Sequence, residues 1–238
     1  MFSAIAGRYD LLNRLFSLGT DVRWRRELAS EIPREGRLPV LDVATGTGDV
    51  PLALRASFPE DRRILGLDFT LPMLRIAAGK LAGKGARSVS LAAGDAFALP
   101  VRDGAFDAVT IAFGLRNLSD RVAALREMVR ALRPGGRVVV LEFSPVQRPL
   151  IGPLFRFYFH RIMPFAGGII SGDAAAYSYL PRSVDAFPDP GLLVREMLEA
   201  GLSNVRCRSL TFGIAYLHVG EKEPTRGRGD QEKRRLTR

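Results

Sequence analysis

One cysteine stands among the 238 residues of this chain, beside two histidines and one tryptophan. A lone Cys207 excludes an internal disulfide framework and leaves the cytosol as the default compartment. With His160 and His218 the only histidines, no clustered Cys/His ligand set exists, and no metal is expected. Charge-free runs long enough to cross a bilayer are missing as well. The richest apolar stretch, Pro149 to Ile170, carries Arg156, His160 and Arg161, so it can lie at a membrane but is not expected to span one. No signal peptide is expected, because Arg8 and Asp10 interrupt the first apolar stretch. What remains is ordinary globular composition, 47% hydrophobic and 25% charged, at a length that suits one α/β domain with embellishments.

Acidic residues are too few to balance the basic ones, and the formal net charge is +10. Three readings follow: solvated surface charge, attraction to an anionic membrane surface, and nucleic-acid binding, weighed in that order. Part of the excess sits in Glu221 to Arg238, with seven basic and four acidic residues and almost nothing apolar. That segment, 221–238, reads as a disordered tail.

Phe2, Ile5, Ala6, Tyr9, Leu12, Leu15 and Phe16 recur at three- and four-residue steps, which predicts an amphipathic helix. A second helix is expected over Trp24–Ile32, ended by Pro33. From Leu38 short apolar runs alternate with helical ones. Strands are predicted at Val40–Ala44, Ile64–Asp68, Ser88–Ala92, Ala108–Ala112 and Val138–Phe143, with helices over Asp49–Ser57, Leu71–Leu81 and Asp120–Leu132. The Arg-Pro-Gly-Gly at Arg133 to Gly136 is a helix stop before the last of these strands. Repeated strand–helix units with fully apolar strands argue for a parallel doubly wound sheet. Asp189-Pro190 starts a late helix and Gly201 ends it. Val205–Leu210 and Ile214–Val219 then follow, parted only by Thr211, Phe212 and Gly213, too short a link for a crossover helix, so these two must form a hairpin. A parallel sheet closed by an antiparallel final strand is the architecture of class I methyltransferases.

LDVATGTGD, Leu41 to Asp49, follows the first strand and opens a helix. Gly46 and Gly48 allow a tight turn and close approach to a ligand, and Asp42 at the strand end can meet a positive ammonium group. Pro51 occupies the third glycine position of a G-x-G-x-x-G pattern, so a zwitterionic amino-acid moiety fits better than a diphosphate. Asp68 ends the second strand about twenty residues on, where a carboxylate accepts from ribose hydroxyls. After the third strand come Gly94, Asp95 and Ala96, where a carboxylate can accept from an adenine amino group. Each aspartate alone could equally be a helix cap. All three at the carboxyl ends of successive strands surround one crevice.

FSAIAGRYDLLNRLFSLGTDVRWR (Phe2–Arg25), LDVATGTGD, GLDFTLPML (Gly66–Leu74), FGLRNLSD (Phe113–Asp120), LRPGGRVVVLEFS (Leu132–Ser144) and YSYLPRSVDAFP (Tyr177–Pro188) together resemble the ubiquinone/menaquinone biosynthesis C-methyltransferase family. The likeness covers almost all of the chain apart from the basic tail. It implies a class I Rossmann-like domain over 37–220, an N-terminal helical lid over 1–36 and a substrate-side insertion over 145–187. It also implies S-adenosylmethionine contacts at Thr47, Asp68 and the Asp95-Ala96 pair, and at the backbone around Ala112, where some relatives carry serine.

A hydroquinone ring carbon becomes nucleophilic when the neighbouring phenol, with a pKa near ~10, loses its proton. FGLRN follows the fourth strand at the mouth of the crevice. There Arg116 can stabilise the developing oxyanion and Asn117 can orient a ring oxygen. Arginine is a poor base, so proton loss to water is favoured; a salt bridge from Arg116 to Asp120 is the structural alternative. Tyr9, on the implied lid, could bond to the substrate oxygen or the donor, or simply pack; Tyr177 and Tyr179 share that ambiguity. His218 reads as structural, and His160 is an outside candidate for a base. Phe155, Phe157, Tyr158, Phe159, Ile162, Met163 and Phe165 can cover the sheet edge or form an entrance for a polyprenyl tail, with Arg156 and Arg161 toward headgroups.

The reading is therefore C-methylation of a polyprenylated quinol, demethylmenaquinol or the ubiquinone-pathway intermediate or both. The protein is expected in the cytoplasm, with peripheral contact at the inner face of the membrane and a homodimer left open. Methylation of another hydrophobic small molecule is the alternative. A non-catalytic donor-binding or RNA-associated module is disfavoured by the intact aspartates and by the absence of an Asn-Pro-Pro-Tyr motif.

Overall fold

The computed structural model describes residues 17, 19–145, 152, 153, 157, 158, 161 and 181–224. Seven strands, β1 (Val40–Val43), β2 (Ile64–Asp68), β3 (Val89–Ala93), β4 (Phe106–Ala112), β5 (Leu132–Phe143), β6 (Leu202–Leu210) and β7 (Ala215–Lys222), make one sheet in the order β3-β2-β1-β4-β5-β7-β6. β1 to β5 pair in parallel, and β7 runs antiparallel to both β5 and β6. The predicted hairpin and the predicted sheet are both present.

Successive side chains of a strand point to opposite faces, and the sheet uses this to serve two cores. Val138 and Val140 of β5 face a cluster with Leu125 and Met128 of α4 (Arg121–Ala131) and Leu193 and Met197 of α5 (Pro190–Glu199). Val139 and Leu141 face the other side, against Trp24 and Leu28 of α1 (Thr20–Ser30) and Leu54 of α2 (Asp49–Ser57). All of these are nearly fully buried, each worth about 1.5–3 kcal/mol over exposure. α3 (Leu71–Gly83) follows β2 and leans on β3 and β2. Asp120 caps α4 by accepting from Ala123 N at 2.9 Å, and Asp189 caps α5 by accepting from Gly191 N and Leu192 N.

Two expectations change. α1, within the segment expected as a lid, contributes Trp24, Leu28 and Ala29 to the second core. The helix read over Phe2 to Phe16 lies outside the described residues. Arg133 to Gly136 ends α4 as expected but also belongs to β5, which pairs from Leu132 opposite Phe106 with an irregularity before Ala108. β7 continues to Lys222, two residues into the segment read as tail, because Glu221 accepts from Arg137 Nε at 3.0 Å and its backbone carbonyl accepts from Ser203.

Candidate active site

At the carboxyl end of β1 the chain turns sharply, with positive φ at Ala44, Gly46 and Gly48. Gly48 starts α2 where a Cβ would stand 3.1 Å from Ala77 Cβ, so glycine lets α2 press against α3. Gly46 faces open space and lines a cleft of about 380 Å³. Asp68 shapes this wall from β2. Its Oδ2 accepts from Gly46 N and its Oδ1 from Thr70 N, both at 2.7 Å. A carboxylate has about four lone-pair sites, so two remain for a ligand's hydroxyls. Asp95, Ala96 and Ala112 line the same cleft. Asp95 Oδ1 accepts from Phe97 N at 2.9 Å.

Asp42 takes a different place from the one expected. It is buried beneath the loop and does not line the cleft; its two oxygens accept from Thr45 Oγ1 and Thr110 Oγ1, both at 2.6 Å. Burial pushes its carboxyl up to about 7, against the two hydroxyl bonds that pull it down. Held behind the loop by the two hydroxyls, this carboxyl supports the turn. Thr47 and Gly48 also lie off the cleft wall, Thr47 being buried. The sequence reading missed Phe69, Met73 and Leu99, which give the wall an apolar side. Phe69 is 81% exposed, a cost that a stacked ligand ring would relieve. The available signal was an aromatic directly after the strand-ending Asp68.

Beyond β4 the chain makes a 3-10 turn, Leu115–Asn117. Gly114 permits it, because a Cβ there would meet Ala44 Cβ at 2.7 Å. Asn117 lines the cleft, as expected. Arg116 does not join that lining. Its side chain is 4% exposed and paired with Glu142 of β5, itself 1% exposed, Nη1 to Oε1 at 2.7 Å. Glu142 also accepts from Arg116 backbone N at 3.3 Å and from Phe143 N at 2.9 Å. The ion-pair partner is thus Glu142, not Asp120, and sequence spacing offered no sign of it. Arg116 Nε is buried and has no partner among the described residues. Its guanidinium lies 5.6 Å from the Phe143 ring, which clusters with Phe113 and Trp24.

α1 is fastened to this end. Trp24 Nε1 donates to Thr211 Oγ1 at 2.8 Å, in the β6–β7 turn. Arg25 pairs with Asp21 and lies 3.6 Å from Asp49 of α2, which Lys80 of α3 meets at 2.7 Å. His218 is structural as read: buried, Nε2 3.2 Å from the Pro190 carbonyl, and pushed by burial to about 4. Tyr9, Tyr177, Tyr179 and His160 lie outside the described residues, as do Arg156, Phe155, Phe159, Ile162, Met163 and Phe165. Phe157 and Arg161 are described and exposed. Among the described residues no three His, Cys, Asp or Glu side chains gather as a metal site.

Residues 1–222 match the ubiE/COQ5 methyltransferase family. A demethylmenaquinone methyltransferase of Thermus thermophilus is 52% identical over 222 residues, 93% of this chain and 100% of the relative. A ubiquinone/menaquinone biosynthesis C-methyltransferase UbiE of a Geobacter species is 45% identical, covering 93% of this chain and 94% of the relative. Among solved structures, a SAM-dependent methyltransferase of Thermotoga maritima superposes with a TM-score of 0.66 at 16% identity, over 93% of this chain and 98% of that one. At that identity the likeness is one of fold.

Proposed function

The chain belongs to the ubiE/COQ5 methyltransferase family, and from that premise we propose that it methylates a ring carbon of a polyprenylated quinol: demethylmenaquinol, a ubiquinone-pathway methoxy-benzoquinol, or both. It is an S-adenosylmethionine-dependent methyltransferase. The observation that carries the site reading is a single cleft shared by Gly46, Asp68, the Asp95-Ala96 pair and Asn117.

The residues present fit the donor. S-adenosylmethionine, when bound, supplies an electrophilic methyl group that the ring carbon's electron pair takes as the carbon–sulfur bond breaks. Gly46 gives backbone access, Asp68 retains acceptor sites for ribose hydroxyls, and Asp95-Ala96 with Phe69, Met73 and Leu99 suits an adenine. Holding donor and acceptor in line is the main work of such a site. Asn117 orients a ring oxygen, and the Arg116 guanidinium, buried behind the cleft wall, lends positive charge that favours the phenolate over the phenol, whose ordinary pKa is ~10. The phenolic proton leaves to water, and after transfer the hydrogen on the methylated ring carbon is lost as a proton while the ring oxygen takes one back from water, which restores the aromatic quinol. Tyr9 is a further contact to the acceptor oxygen or the donor in this reading. The acceptor's apolar tail, with the net charge of +10, supports peripheral contact with the inner face of the membrane.

The test is transfer of label from methyl-labelled donor to a panel of quinols and unrelated apolar acceptors. Methylated quinol is the expected product; label passing only to a non-quinol acceptor would refute the substrate. In cells lacking the protein, a demethylated quinone should accumulate by mass spectrometry.

A further inference from the structure

We propose that Glu142 is a positioning residue for acceptor methylation, acting through Arg116 and the turn that carries Asn117. The inference rests on the acceptor-side reading above and adds to it a residue from a different strand.

Glu142 sits in the run Val138 to Phe143, otherwise apolar, in the middle of the sheet. An ionised carboxylate there costs several kcal/mol of desolvation unless it is paired and bonded. What offsets the cost is specific. Oε1 meets Arg116 Nη1 at 2.7 Å and Phe143 N at 2.9 Å, and Oε2 meets Arg116 backbone N at 3.3 Å. One side chain thus grips Arg116 by its backbone and its head together, across from β5 to the turn that follows β4. A buried apolar residue would fill the same space more cheaply, so the carboxylate's contribution is geometric: it fixes where the turn stands.

Two consequences reach the cleft. Asn117 is the next residue, so a turn held at Arg116 N sets where the Asn117 amide meets the acceptor. The grip also fixes the guanidinium, whose Nη1 donates to Glu142 and to the Phe113 carbonyl, so the positive charge behind the cleft wall is held in one place. Phe143, under the guanidinium at 5.6 Å, closes the other side of it. Holding a charge still before the acceptor's own charge develops is the condition under which it lowers a barrier.

Glu142→Gln separates positioning from packing. It keeps size and one acceptor oxygen but turns an NH2 toward one of the N–H groups that Glu142 now receives. The expected result is turnover lowered about tenfold or more, with the Kd for the donor, read by calorimetry, within about twofold of wild type. In a double-mutant cycle with Arg116→Lys, the losses in log kcat should sum to clearly less than additive, since the two variants share the guanidinium while only Glu142→Gln also disturbs the backbone bond. Additive losses in log kcat, or turnover equal to wild type beside a lowered melting temperature, would overturn the proposal. So would loss of donor binding in Glu142→Gln, which would make the residue part of the fold alone. If the wild-type enzyme methylates no quinol, the substrate reading fails instead, and the cycle is then run on whichever acceptor the wild type uses.

Discussion

Two aspartates that look alike in sequence do opposite things, and single substitutions separate them. Asp68 lines the cleft with two acceptor sites to spare, while Asp42 is sealed behind the glycine loop by two threonine hydroxyls. Asp68→Ala removes charge-assisted bonds worth about 1.5–3 kcal/mol and frees Gly46 N. Donor affinity in calorimetry should fall by about ten- to a hundredfold; unchanged affinity would remove Asp68 from the site. Asp42 should instead mark the pH profile of stability. Its ordinary value is 3.8 and its folded value about 7, so between them the native state holds a proton that the unfolded chain releases. The stability it contributes is full below about pH 4 and is lost as pH rises to about 7, at up to about 1.4 kcal/mol per pH unit. Asp42→Asn, which needs no proton, should gain on wild type in urea unfolding from pH 4 to 7 and run parallel above. A difference that stays flat across that window would mean Asp42 is ionised throughout.

Helix α1 was legible as a helix but not as what it does. The spacing of apolar residues from Trp24 to Ile32 placed its end within two residues of Ser30 but its start four residues after Thr20, and family likeness suggested a lid. Only tertiary contact reveals that Arg25 ties it to α2 and, through Asp49 and Lys80, to α3. The strands were readable because fully apolar runs have one use in a parallel sheet, and Thr211–Gly213 is too short for anything but a hairpin. Glu142 was not readable, because its partner lies 26 residues away and nothing in LEFS distinguishes a buried acid from an edge one. Asp42 misled for the same reason: Thr110 stands beside it only through the β1–β4 register. The α1 fastening is testable as a unit. Arg25→Met leaves Asp21 buried without its cation, a loss of about 3–5 kcal/mol. The urea midpoint should drop accordingly, and a shift under about 1 kcal/mol would show that water already screens the pair.

Long-range attraction depends on the charge that local pairing leaves over. Arg206 and Arg208 are engaged by Glu31 and Glu27, and such pairs present little field at a distance, but the excess of +10 does. An acceptor with a polyprenyl tail resides in lipid, and no helix among the described residues is long and apolar enough to cross a membrane. On the proposed reading the enzyme meets that acceptor at the membrane surface, where each basic residue near an anionic surface is worth about 1 kcal/mol. Screening sets the signature, since the Debye length falls from about 10 Å at 0.1 M salt to about 3 Å at 1 M. The protein should sediment with anionic vesicles at low salt, stay in solution with zwitterionic ones, and be released from the former as salt rises. Turnover on quinol embedded in the anionic vesicles should decline over the same salt range. Turnover that persists with all the protein in the supernatant would mean that charge does not bring enzyme to acceptor. If RNA in place of salt strips the protein from the vesicles at sub-stoichiometric amounts, the basic excess serves a nucleic acid instead.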